Sequence, residues 1–159
     1  MLGRDAGHLA LSAGVHPGAC PSRQRDHAAQ SVLFVCEHGG AKSVIAAAHF
    51  NKIAKERGLP YRAVARGTAP DEAVPAGVRQ GLAAAGLEIS IEKPVMVGQA
   101  DVSKASRVVT FDVTLPGAIA SSKPPTGWDA LPSVSSNFDV ASAEIKRRVE
   151  LLIDELTKK

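Results

Sequence analysis

Apolar residues follow two alternating spacings along this chain. Ser31-Val-Leu-Phe-Val35 is a short continuous β-prone run, the pattern of a strand covered on both faces in a parallel sheet. It predicts the sheet centre. From Ala41 to Arg57 the spacing becomes helical: Val44, Ala47 and Ala48 share one side, Phe50, Ile53 and Ala54 extend the apolar surface, and Gly58 and Pro60 end it. Tyr61 to Arg66 reads as a second strand, Gly67-Thr-Ala-Pro70 as a turn, and Val74 to Ala85 as a helix stopped by Gly86. Val95 to Val97 predicts a short third strand and Arg107 to Phe111 a further one. Asp112 to Asn137 reads as a long loop with prolines at 116, 124, 125 and 132, and loops of that length in compact domains are often functional. Ile145, Val149, Leu152, Ile153 and Leu156 then recur at helical spacing, with Lys158 and Lys159 where the helix dipole favours cations.

This alternation predicts an α/β fold: one domain over residues 31–159, a doubly wound sheet of about four parallel strands with helices on both faces. Residues 1–30 show neither period and are expected to form a flexible tail. A degraded export signal is the rival reading, because Gly18-Ala-Cys20 offers small residues for cleavage, but the apolar stretch from Leu9 is broken by Gly14 and Pro17. No run approaches the ~20 apolar residues that cross a bilayer, so no membrane partner is expected. The net charge of +3 comes from 19 basic and 16 acidic residues dispersed along the chain. That favours an anionic ligand without implying nucleic acid, since no basic stripe is interleaved with aromatics. With only Cys20 and Cys36 present, a reduced thiol and a cytoplasmic location are expected.

Cys36-Glu-His-Gly-Gly-Ala-Lys42-Ser43 stands between the first strand and the first helix. In a parallel sheet this junction places unpaired helix N-terminal amides at the carboxyl end of a strand, a natural anion site. The segment predicts a cradle of amides from Glu37, His38, Gly39, Gly40 and Ala41, with a thiol, a cation and a hydroxyl beside it. Plainer readings exist for each residue: a buried small hydrophobe for Cys36, a solvated cation for Lys42, a helix N-terminal residue for Ser43, a simple turn for Gly39-Gly40, a polar loop residue for His38. His49, inside the helix, reads as a packed or hydrogen-bonded residue. A metal site on Cys36 and His38 lacks the three or four ligands normally needed. A nucleotide-binding Walker loop would need glycines where Cys36 and Ala41 stand. No cofactor is expected.

Val-Leu-Phe-Val-Cys-x5-basic-Ser, followed by a helix, a Gly67-Thr68 turn, Pro75 and a Leu82-x3-Gly86 helix end, resembles the low-molecular-weight protein tyrosine phosphatase superfamily, which includes thiol-dependent arsenate reductases. The resemblance covers residues 31–159. It implies Cys36 as the nucleophile that forms a thiophosphoryl intermediate, Ser43 as its hydroxyl partner, and Lys42 as the electrostatic clamp, in the place where the family carries arginine. The family's general acid is an Asp preceding a Pro. Alignment on Pro132 puts Leu131 there, which leaves Asp129 as the candidate acid, with Trp128 either at the mouth of the site or sealing the core. The resemblance implies phosphate, arsenate or a phosphomonoester, phosphotyrosine among them, as ligand. Three functions follow: phosphomonoester hydrolysis, arsenate reduction with an external thiol, or oxyanion binding without catalysis.

Overall fold

The structure, a computed structural model, describes residues 30–89, 91–121 and 124–158. The tail expected over residues 1–30, Cys20 included, lies outside them except for Gln30, which opens the first strand. Among the described residues the order is β1 (Gln30–Cys36), α1 (Lys42–Glu56), β2 (Tyr61–Gly67), α2 (Ala76–Ala84), α3 (Gln99–Lys104), β3 (Ala105–Thr110), β4 (Thr126–Gly127) and α4 (Phe138–Thr157). The sheet runs β2-β1-β3-β4, with every pairing parallel. β1 is central, as its apolar run predicts. Val32, Phe34 and Cys36 point into the larger core beneath α1, α2 and α4, while Leu33 and Val35 face a thinner layer with Val97, Val102 and Val108. That period of two is a strand buried on both sides. No described helix is long and apolar enough to cross a membrane.

α1 packs close because Ala46, Ala47, Ala48 and Ala54 are buried on it. Its Asn51 also clips the edge strand: Nδ2 donates to the Ala63 carbonyl at 3.2 Å, and the Ala63 amide donates to Asn51 Oδ1 at 2.7 Å. The side-chain amide takes the place of a missing strand neighbour and covers an otherwise open edge.

Two sequence expectations need correction. Val95–Val97 is not a strand. Pro94 precedes it and Gly98 follows, and it makes a single bridge, Met96 to Gly67, in which the Gly67 amide donates to the Val95 carbonyl and the Val97 amide to the Gly67 carbonyl, both at 2.9 Å. The chain turns at once into α3, whose six residues are too few for a helical period to show. The long 112–137 loop contains β4, two residues paired to Val109 and Thr110. The register comes from β3, because Thr126-Gly127 has no apolar alternation of its own.

Beyond β1 the chain bends over the end of β2. The carbonyls of Cys36, Glu37 and His38 accept from the amides of Thr68, Ala69 and Asp71 at 3.0, 2.8 and 3.1 Å. The crossing requires two glycines in contact. Gly39 has φ +68°, a conformation costly for other residues. A Cβ on Gly67 would lie 2.7 Å from the Gly39 nitrogen and 2.9 Å from the Glu37 carbonyl oxygen. Both obstacles are main chain and cannot rotate aside.

Two outcomes follow. Gly67→Ala should destabilise the protein by about 1–3 kcal/mol in urea unfolding, the range for overpacking a close contact; an unchanged midpoint would show that the loop yields freely. The second concerns His49, buried on α1 with Nε2 2.8 Å from Ser142 Oγ on α4. Burial, aided by Lys146 and Lys52, lowers its pKa from 6.5 to about 4. The unfolded chain therefore binds the extra proton first, and stability falls as pH drops from 6.5 towards 4. Between pH 7 and pH 5 the wild type should lose about 2 kcal/mol more than His49→Gln, read from paired denaturation curves.

Candidate active site

Cys36 is the last residue of β1, and α1 begins at Lys42. The junction lies where the strand order reverses, with β2 on one side of β1 and β3 on the other, the position at which such sheets bind ligands. The carbonyls of residues 36–38 are held by the turn after β2, so this stretch of chain presents its amides to the opposite side. Ala41, the N-cap, has no side chain able to cap the first turn, which leaves the helix N-terminus open to an anion. Gly39 and Gly40 are buried within the loop.

The sulfur sits at the base of this loop. Cys36 is 6% exposed and free of any disulfide. The Gly39 amide donates to Sγ at 3.2 Å, and Ser43 Oγ lies 3.0 Å from it. Ser43 is fully buried, so its hydroxyl orients the sulfur.

Charge around the loop is arranged in two sets. Glu37, His38 and Asp71 form an exposed chain, with His38 Nδ1 3.1 Å from Asp71 Oδ1 and Nε2 3.6 Å from Glu37 Oε2. Glu37 thereby has His38 as its charge partner. Lys42 turns to Asp112, just beyond β3, with Nζ donating to Oδ2 at 3.2 Å. Asp112 has φ +55° and Ala130 φ +60°. The two turns lock together: the Asp112 amide donates to Asp129 Oδ1 at 2.9 Å, and the Ala130 amide to Asp112 Oδ1 at 3.3 Å.

A cavity of about 700 Å³ opens beside Cys36. Glu37, His38, Ala41 and Lys42 line it on the loop side, and Val78, Phe111, Leu131, Val134 and Phe138 give it apolar walls. Two expected site residues lie elsewhere. Trp128 does not form the mouth: its ring is in the core, 5.7 Å from both Phe34 and Phe111, and 8% exposed. Asp129 does not line this cavity. Its carboxylate is held by the Asp112 amide and borders a neighbouring depression with Glu37, Thr68 and Asp112. Leu131, at the position of the family acid, is buried in the cavity wall. Asp112 also lines the cavity, and its pairing with a lysine 70 positions away has no local signal in the sequence. Phe138 and Val78 had no signal beyond ordinary helix faces. Among the described residues no three His, Cys, Asp or Glu side chains are grouped to hold a metal ion.

Comparison with known proteins agrees with this geometry. Residues 31–126 match the family model of the low molecular weight phosphotyrosine protein phosphatases. The solved arsenate reductase of Archaeoglobus fulgidus is 33% identical, with 77% of this chain and 98% of that one covered and a TM-score of 0.65. The thioredoxin-dependent arsenate reductase of Corynebacterium glutamicum shares the fold at 20% identity, covering 86% and 73%, TM-score 0.65. So does the low molecular weight protein tyrosine phosphatase of T. tengcongensis, at 19% identity, 79% and 99%, TM-score 0.62. Curated protein sequences give no match. The four-stranded parallel sheet, the cysteine loop ahead of α1 and these likenesses make the chain a member of the low molecular weight phosphotyrosine protein phosphatase family, whose relatives include both phosphatases and arsenate reductases.

Proposed function

We propose that the chain is a cysteine-dependent enzyme that hydrolyses an aryl phosphomonoester, phosphotyrosine being the fitting side chain, in the cytoplasm, where a reduced thiol persists. The observation that carries this is the sulfur held by the Gly39 amide and beside the Ser43 hydroxyl, at the edge of a cavity with aromatic and aliphatic walls. The loop suits a tetrahedral dianion; the walls suit a ring. In the first step the Cys36 thiolate attacks phosphorus, the S–P bond forms, and the P–O bond breaks with its electron pair leaving on the aryl oxygen. Water then attacks phosphorus, releasing phosphate and restoring the thiolate. The amides of residues 37–43 and Lys42 stabilise the equatorial oxygens, and Ser43 holds the sulfur in line.

Leaving-group protonation is the weak step. With Leu131 in the wall and Asp129 engaged outside the cavity, the help worth ~10²–10⁴-fold that a general acid gives is missing. Lysine also lacks the planar fork that grips two phosphoryl oxygens.

Arsenate reduction is favoured by a different observation, the 33% identity to an arsenate reductase. Arsenate carries its own hydroxyl groups, and the oxygen it loses departs as water. The Cys36 thiolate would attack arsenic(V), forming an S–As bond as an As–O bond breaks and the protonated oxygen leaves as water. An external thiol would then attack the sulfur, releasing arsenite and leaving a mixed disulfide, and a second thiol would restore Cys36, two electrons being supplied in all.

Hydrolysis of p-nitrophenyl phosphate by wild type and Cys36→Ser tests the first reading. The wild type should turn over, the variant should not, and rates across aryl phosphates should fall steeply as the departing phenol becomes more basic. Equal rates in the two proteins would rule out nucleophilic catalysis, and thiol-dependent arsenite release that requires Cys36, without ester hydrolysis, would select the second reading.

A further inference from the structure

The cavity beside Cys36 contains one strong cation, and that cation already has a partner. Lys42 is the only lysine or arginine lining it among the described residues, and Nζ donates to Asp112 Oδ2 at 3.2 Å. Asp112 is fixed from behind, its Oδ1 accepting from the Ala130 amide and its own amide donating to Asp129. An arginine at position 42 would spread five donors over a planar fork, able to hold a carboxylate on one edge and an oxyanion on another. Lysine brings every acceptor to the same nitrogen. A carboxylate and a phosphoryl dianion crowded around that atom repel each other as like charges.

We infer that Asp112 is a specificity-determining residue that competes with the bound oxyanion for Lys42, so that ligand entry exchanges one ion pair for another. This rests on the reading that the Cys36–Ser43 loop binds an oxyanion. The exchange is feasible because the Asp112 side chain is 48% exposed: water solvates the carboxylate once the ammonium leaves, and ion pairs at such positions are weak. A dianion backed by the loop amides outbids a half-solvated carboxylate. A ligand of lower charge leaves Lys42 where it is. The departure from arginine thus turns a permanent clamp into a contested one.

Asp112→Asn isolates the effect. Asparagine tolerates the φ of +55°, and its Oδ1 can still accept from Ala130, so the turn is kept and only the charge goes. Calorimetric titration with inorganic phosphate should show Asp112→Asn binding roughly two- to five-fold more tightly than wild type, the factor that matches release of an exposed ion pair. Asp129→Asn, which removes a neighbouring charge without touching Lys42, should fall well short of that gain. Lys42→Arg is the second arm: it should tighten phosphate on its own, and adding Asp112→Asn to it should bring less than in the lysine background. Weaker binding by Asp112→Asn, a gain equalled by Asp129→Asn, or no tightening in Lys42→Arg overturns the competition while leaving oxyanion binding intact. No heat with any of the proteins overturns the oxyanion reading itself.

Discussion

The site depends on a contact between two stretches of bare backbone. Gly39 lies against Gly67 so closely that a methyl group on the latter would meet main chain at 2.7 Å. Because the chain can cross there, three successive carbonyls of the loop are consumed by the turn after β2, and the N–H of the third peptide, that of Gly39, is turned to the Cys36 sulfur. Gly67 is also held on its far side by Val95 and Val97. One residue therefore joins the end of β2, the loop around the sulfur and the approach to α3. A peptide dipole oriented in this way needs no reorganisation when an anion arrives, which is why main-chain cradles outperform flexible charged side chains.

That matters here because side-chain charge is poorly arranged for binding an anion. Glu37, Asp112 and Asp129 surround the loop, against Lys42 and the His38 imidazole. Two of the carboxylates are occupied, Glu37 with His38 and Asp112 with Lys42. Glu37 and His38 are exposed and Asp112 is about half-exposed, and exposed pairs contribute ~0–1 kcal/mol. On the proposed reading, the amides and the N-terminus of α1 supply the dominant attraction. The dispersed surplus of three positive charges over the chain is a remote contribution, screened beyond roughly 8–10 Å at physiological salt.

Much of the fold was legible because its signals are strong and local. Four β-prone residues ahead of a Cys, an alanine-rich helix ended by Gly58 and Pro60, and a regular C-terminal helix each repeat one period long enough to read. The loop residues were legible for the same reason, since all of Cys36 to Ser43 lies in one stretch. Signals failed where geometry comes from a partner. Val95–Val97 has strand composition but a proline before it and one bridge to hold it; β4 exists because β3 offers an open edge. The left-handed turns at Asp112 and Ala130, which aim the carboxylates, leave no periodic trace. The pairing of Lys42 with Asp112 is purely tertiary.

The 128–131 segment shows why an acid cannot simply be supplied from next door. Trp128 is fixed by its amide to the Thr110 carbonyl at 2.7 Å and by its ring against Phe34 and Phe111. With that ring inside, Asp129 emerges on the opposite side and the turn at Ala130 returns Leu131 to the cavity wall. Bringing the Asp129 carboxylate over the sulfur would mean rotating the segment and drawing the indole out of the core. A Trp buries about 150–250 Å², so exposing it costs about 4–6 kcal/mol. General-acid help of ~10²–10⁴-fold is equivalent to about 3–5 kcal/mol. The swing costs as much as it returns. Packing thus keeps the Asp129 carboxylate out of the cavity that Cys36 and Asp112 line, although the two aspartates are joined through the Asp112 amide.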